Sequence, residues 1–65
     1  HYAEPLRRRL AVTAQLLEEA DSEANEIAEL CAGAEMRVLD IRGGWAWGYG
    51  PDGRVGYVSE AALTA

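Results

Sequence analysis

The stretch Gly43 to Val58 reads GGWAWGYGPDGRVGYV, and its pattern decides the fold. A double glycine opens it. Trp45, Trp47 and Tyr49 then alternate with Ala46 and Gly48, a period of two that marks a strand. Gly50-Pro51-Asp52-Gly53 has the composition of a tight turn. Proline presets φ, the Asp side chain closes a local hydrogen bond, and glycine accepts φ > 0. A second strand, Arg54 to Val58, completes an aromatic hairpin.

Working outward, Glu35 to Ile41 (EMRVLDI) reads as a strand preceded by the turn Ala32-Gly33-Ala34. Met36 and Val38 share one face, whereas Leu39 and Ile41 share the other. The parity switch between Val38 and Leu39 predicts a bulge, as where a small barrel turns a corner. Arg42-Gly43-Gly44 is a tight connection. Beyond the hairpin, Ser59 is placed to cap a single 3₁₀ turn over Glu60 to Leu63, with Leu63 returning to the core. Leu10 to Leu17 fits either a strand face (Leu10, Val12, Ala14, Leu16) or a helix face (Leu10, Ala14, Leu17). Ser22 to Leu30 is rich in helix formers behind the N-cap candidates Asp21 and Ser22. Its apolar stripe is thin, and a helix of about nine residues is marginal without packing. The residues expected to build the core are Leu10, Val12, Ile27, Leu30, Val38, Leu39, Val55 and Val58.

The chain has 65 residues, which suits one small domain with no room for both a core and a deep catalytic cleft. Its net charge of −5 argues against nucleic acid as a partner. Arg7-Arg8-Arg9 is a local exception and reads as a solvated terminal segment or a contact for an anionic surface. The single cysteine, Cys31, allows neither an internal disulfide nor a multi-cysteine metal site, and it reads as a small buried apolar residue. The single histidine is His1, so a Cys-His catalytic pair is not expected. No apolar run approaches the ~18 residues of a membrane span, and no signal peptide is recognisable, although a targeting segment could lie upstream. These features predict a non-enzyme without metal or cofactor.

The segment GGWAWGYGPDGRVGYVSEAAL resembles the closing hairpin of a bacterial SH3 domain, and LCAGAEMRVLD is similar to its middle section. With the lead-in HYAEPLRRRL, the whole is most similar to the N-terminal SH3 module of NlpC-type cysteine peptidases, the γ-D-glutamyl-L-amino-acid (dipeptidyl) peptidases of cell-wall peptides. The resemblance implies an all-β, SH3-like barrel of five or six mostly antiparallel strands with one short 3₁₀ turn near the C-terminus. Residues 1–9 would be an extended lead-in and 10–65 the domain, a piece of a larger protein. It also replaces the helix at Ser22 to Leu30 with a loop and a strand. The implied function is a non-catalytic module that helps form the substrate cleft of a catalytic peptidase domain in the same chain. That cleft would take murein peptides with a free N-terminal L-alanine. The alternative is a free-standing module for peptide or cell-wall ligands. The compartment would be the cytoplasm if the parent recycles murein peptides, and otherwise the periplasm or cell envelope.

Within that frame the candidate ligand or domain-interface residues are Trp45, Trp47, Tyr49, Arg54, Glu19 and Asp21. The aromatic face of the strand is either core or an exposed groove; in the second case Ala46 and Gly48 face inward. Relatives place an aromatic residue of the hairpin and a carboxylate near the substrate amine. Glu18, Glu19, Asp21 and Glu23, in the long first loop, are candidates for that carboxylate. Arg54 stands where relatives often carry Tyr, and a cation there would repel an ammonium group. Tyr57 reads as a packing residue.

Overall fold

A computed structural model describes residues 6–63; the lead-in His1 to Pro5, including the lone histidine, and the last two residues lie outside them. Six strands follow one another: β1 (Leu6–Arg9), β2 (Ala14–Leu17), β3 (Glu26–Leu30), β4 (Glu35–Arg42), β5 (Trp45–Tyr49) and β6 (Val55–Ser59). A single 3₁₀ turn, Glu60–Ala62, follows. The strands form one antiparallel sheet in the order β1-β4-β5-β6-β2-β3. The architecture is the small all-β SH3-like fold that the sequence predicts. The helix formers of Ser22 to Leu30 lie in a turn and in β3, because pairing with β2 buries Leu30 and outweighs local propensity.

The core gathers Leu10, Leu16, Leu30, Met36, Val38, Ala46, Val58 and Ala62, with Ile27 and Leu63 partly buried against it. Each large member adds about 1.5–3 kcal/mol on burial. Three expected core residues are instead exposed, and each has a local reason. Val12 is exposed because Leu10 is held in an isolated bridge to Leu63 and the chain then bends, resetting the parity before β2. Leu39 is the extra residue of a bulge: the register of β4 on β5 shifts between Val38 and Asp40, where the parity switch lies. Val55 pairs with Tyr49 and shares its outward face. Cys31 is likewise exposed rather than buried, since it lies just past β3 in the turn to β4.

The inner face of β5 consists of Ala46 and Gly48, both buried. Gly48 stands opposite Gly56 of β6. A Cβ on Gly48 would lie 2.0 Å from the Arg37 carbonyl oxygen, and one on Gly56 would lie 2.7 Å from the Leu17 carbonyl oxygen. The neighbouring backbones therefore fill the space that side chains would need, and the sheet bends tightly over this glycine pair. The β4–β5 connection is Gly43-Gly44, with φ of 55° and 83°. Positive φ at both central residues is what a two-residue hairpin turn of matching twist requires. The 3₁₀ turn is anchored by Glu60 N–H donating to the Gly44 carbonyl at 2.9 Å; the Ser59 side chain makes no capping bond, contrary to expectation.

We expect Gly48→Ala to cost at least about 2–3 kcal/mol, because its Cβ meets backbone that cannot turn aside. Gly44→Ala, with open space but positive φ, should cost about 1–2 kcal/mol. Urea midpoints of the two variants check the order, and an equal or reversed cost would contradict the close-approach account.

Candidate functional site

The inward turn of Ala46 and Gly48 sends Trp45, Trp47 and Tyr49 to the outer face. Direct cross-strand partners point to the same side of a sheet. The pairings therefore set three rows across this face. Arg42, Trp45 and Ser59 form the first; Asp40, Trp47, Tyr57 and Leu17 the second; and Arg37, Tyr49 and Val55 the third. Leu17 ends the second row and is buried, yet it stands outside the main core cluster.

The first two rows and the long first loop enclose a groove of about 400 Å³, lined by Ala20, Asp40, Arg42, Trp45, Trp47 and Tyr57. The loop spans residues 18–25. Its base is closed by Glu18 N–H donating to the Asn25 carbonyl at 3.0 Å, and its tip by Ala24 N–H donating to the Asp21 carbonyl at 3.0 Å. The carboxylate of Asp21 accepts the Glu23 N–H at 3.0 Å, a local turn bond that holds the loop in shape. Ala20 thus forms one wall, with Glu19 and Asp21 on either side of it in sequence, both exposed.

Of the residues singled out in the sequence, the groove brings together Trp45 and Trp47, whereas Glu19 and Asp21 adjoin Ala20 in the loop without lining it. Tyr49 lies in the third row and Arg54 at the hairpin turn; neither lines the groove. The Arg54 guanidinium donates to the Ile27 carbonyl at 3.1 Å and pairs with Asp52 at 3.2 Å. The cation expected to oppose an ammonium ligand is therefore held away, against β3. Tyr57, read as packing, lines the groove. Asp40 and Arg42 were not singled out: the parity switch at Leu39 carries the signal, since the bulge there brings them to the face of Trp47 and Trp45.

Asp40 and Arg42 form an ion pair at 3.0 Å on the groove rim, with side chains 52% and 88% exposed. A pair this open contributes little to stability and can exchange partners at little cost. Chemically, the groove offers indole and phenol faces, a carboxylate and a guanidinium. Aromatic faces attract cations and apolar groups, and a guanidinium receives carboxylates in a forked geometry. Among the described residues no cluster of histidine, cysteine, aspartate or glutamate is arranged to hold a metal ion, and Cys31 lies in the β3–β4 turn, not among the groove-lining residues.

A six-stranded SH3-like sheet with an aromatic groove between the first loop and the β5 face places the chain among small binding modules. The family model of the bacterial dipeptidyl-peptidase SH3 domain matches residues 16–63, most of the chain, and the protein belongs to that family. No curated protein and no solved structure matches it. The membership makes the chain an accessory module of the kind found with peptidases.

We expect Trp47→Ala to destabilise the domain by less than the ~3–5 kcal/mol usual for a buried indole, since the Trp47 side is already 37% exposed. Chemical denaturation of the variant checks this; a loss in the full buried range would place the ring in the core.

Proposed function

We propose that the domain is the non-catalytic partner of a cysteine peptidase acting on murein peptides, and that its aromatic groove forms part of the substrate cleft. The observation that supports this most is the composition of the groove. Trp45, Trp47 and Tyr57 provide apolar and cation-attracting faces, while Asp40 and Arg42 offer opposite charges side by side. A short murein peptide carries a free ammonium group and carboxylates, the two groups that such a rim can receive at once. Binding would replace the exposed Asp40–Arg42 pair by two charge-assisted contacts to the ligand. The acidic first loop adds negative potential near the ammonium end, and Arg54 is held too far round the hairpin to oppose it.

In this arrangement the module contributes orientation and exclusion, and the bond-breaking groups belong to the peptidase domain. Large exposed aromatic faces commonly mark contact sites, and the same face can meet both the peptide and the neighbouring domain. The cytoplasm is the compartment we propose, as the place where a peptidase that recycles murein peptides would act.

Titration of the 65-residue chain with a short murein peptide bearing N-terminal L-alanine, followed by tryptophan emission, tests the reading. We expect a saturable change, lost in Trp45→Ala while the fold persists by circular dichroism. We also expect no hydrolysis product from the chain alone. An emission signal indifferent to the peptide, or peptide turnover by the chain itself, would contradict the proposal.

A further inference from the structure

At the other end of β4 the sheet has a different chemistry. β1 is an edge strand, paired on one side only, with the register Leu6↔Val38, Arg7↔Arg37, Arg8↔Met36 and Arg9↔Glu35. Every second residue of such a strand turns both its backbone N–H and its carbonyl to the open side. Arg7 and Arg9 share the outer face with Arg37 and Glu35, while Leu6 and Arg8 share the face of Val38 and Met36.

Arg7 thus stands directly opposite Arg37. Like charges in that position destabilise a sheet. The one carboxylate nearby, Glu35, is 3.6 Å from the Arg37 Nε, and Arg9 donates to the Gly33 carbonyl at 3.3 Å. Among the described residues Arg7 and Arg8 have no carboxylate partner, although the chain as a whole carries a net charge of −5 and Arg42 and Arg54 are both paired. Beside this basic edge lies a second groove of about 420 Å³, lined by Leu6, Val38, Leu39, Asp40 and Ile41. Leu6 and Leu39 are 53% and 39% exposed there. An unpaired strand edge, a face with three arginines and a single glutamate, and exposed leucines at its end therefore coincide.

We propose that the β1 edge is a docking site for an extended polypeptide segment with alternating acidic and apolar side chains. Added as a seventh strand, such a segment would pair its backbone with the open side of β1. Its carboxylates would fall on the face of Arg7, Arg9 and Arg37 and relieve their mutual repulsion. Its apolar side chains would fall on the face of Leu6, toward the second groove. Main-chain pairing supplies affinity in strand addition and the alternating side chains supply specificity. The apolar groove and the strand edge favour a polypeptide over a polyphosphate, which would use the arginines alone. The arginines also set a selection rule: two copies of this edge repel one another, so the site rejects its own kind and accepts the opposite charge. This inference concerns the β1 edge rather than the aromatic face, although Asp40 borders both grooves, and it does not depend on the murein-peptide reading.

The test uses the 65-residue chain and a capped hexapeptide of alternating glutamate and valine, followed by backbone amide spectra and hydrogen exchange. We expect shifts and slowed exchange at Leu6 to Arg9. Arg7→Glu, which places a carboxylate opposite Arg37, should weaken the peptide at least about tenfold and at the same time raise the Tm by about 2–5 °C. Arg7→Gln serves as a second variant and should weaken binding while also removing the like-charge pair. A merely structural role for Arg7 would move stability and binding together, not in opposite directions. Three results would overturn the proposal: no response of β1 to the peptide at millimolar concentration, a response confined to Trp45, Trp47 and Tyr57, or equal perturbation of β1 by inorganic polyphosphate without slowed exchange.

Discussion

The structure depends on the close approach of backbones around Gly48 and Gly56. These two residues face each other across β5 and β6, and each lies against the backbone of the next strand. With no side chain on either, the sheet bends enough to enclose a core from only 65 residues. The same approach leaves no room for rings on the inner face of β5. Trp45, Trp47 and Tyr49 are consequently outward, and the aromatic groove is the other side of a packing constraint. Core interiors pack at nearly crystalline density, so a chain this small cannot bury two indoles in addition to Leu10, Leu16, Met36 and Val38.

Much of this is legible in the amino-acid sequence itself. The aromatic hairpin, the Gly43-Gly44 turn and the bulge beside Leu39 follow from period, turn chemistry and a parity switch, all of which are local signals. The strand at Glu26–Leu30 was not, since Glu, Ala and Leu favour helix and only pairing with β2 decides the matter. Its correct assignment came from the family resemblance. The exposure of Val12 depends on a distant partner, Leu63, which holds Leu10 before the chain bends, and that of Val55 on the outward facing of Tyr49 across the hairpin.

The site was half legible. Trp45 and Trp47 announce themselves by type and spacing. Asp40 and Arg42 do not, because charged residues on a strand read as solvated until their cross-strand partners, Trp47 and Trp45, are known. Arg54 illustrates the converse. Its position in the sequence suggested a cation in the site, but a hydrogen bond to Ile27 and an ion pair with Asp52 direct it elsewhere. Side-chain direction at a turn is settled by the nearest available acceptor, which sequence order alone does not locate. Charge is also distributed unevenly: acidic residues crowd β3 and the loop before it, whereas β1 carries three arginines.

The central claim is that sheet closure over glycine turns the aromatic strand outward. Acrylamide quenching of tryptophan emission, compared between the native and the urea-unfolded chain, tests it most directly. The account expects native quenching already to be a substantial fraction of that in urea, carried chiefly by Trp47, with Trp45 partly shielded. Emission that stays protected from acrylamide until the chain unfolds would place both indoles in the interior and contradict the account.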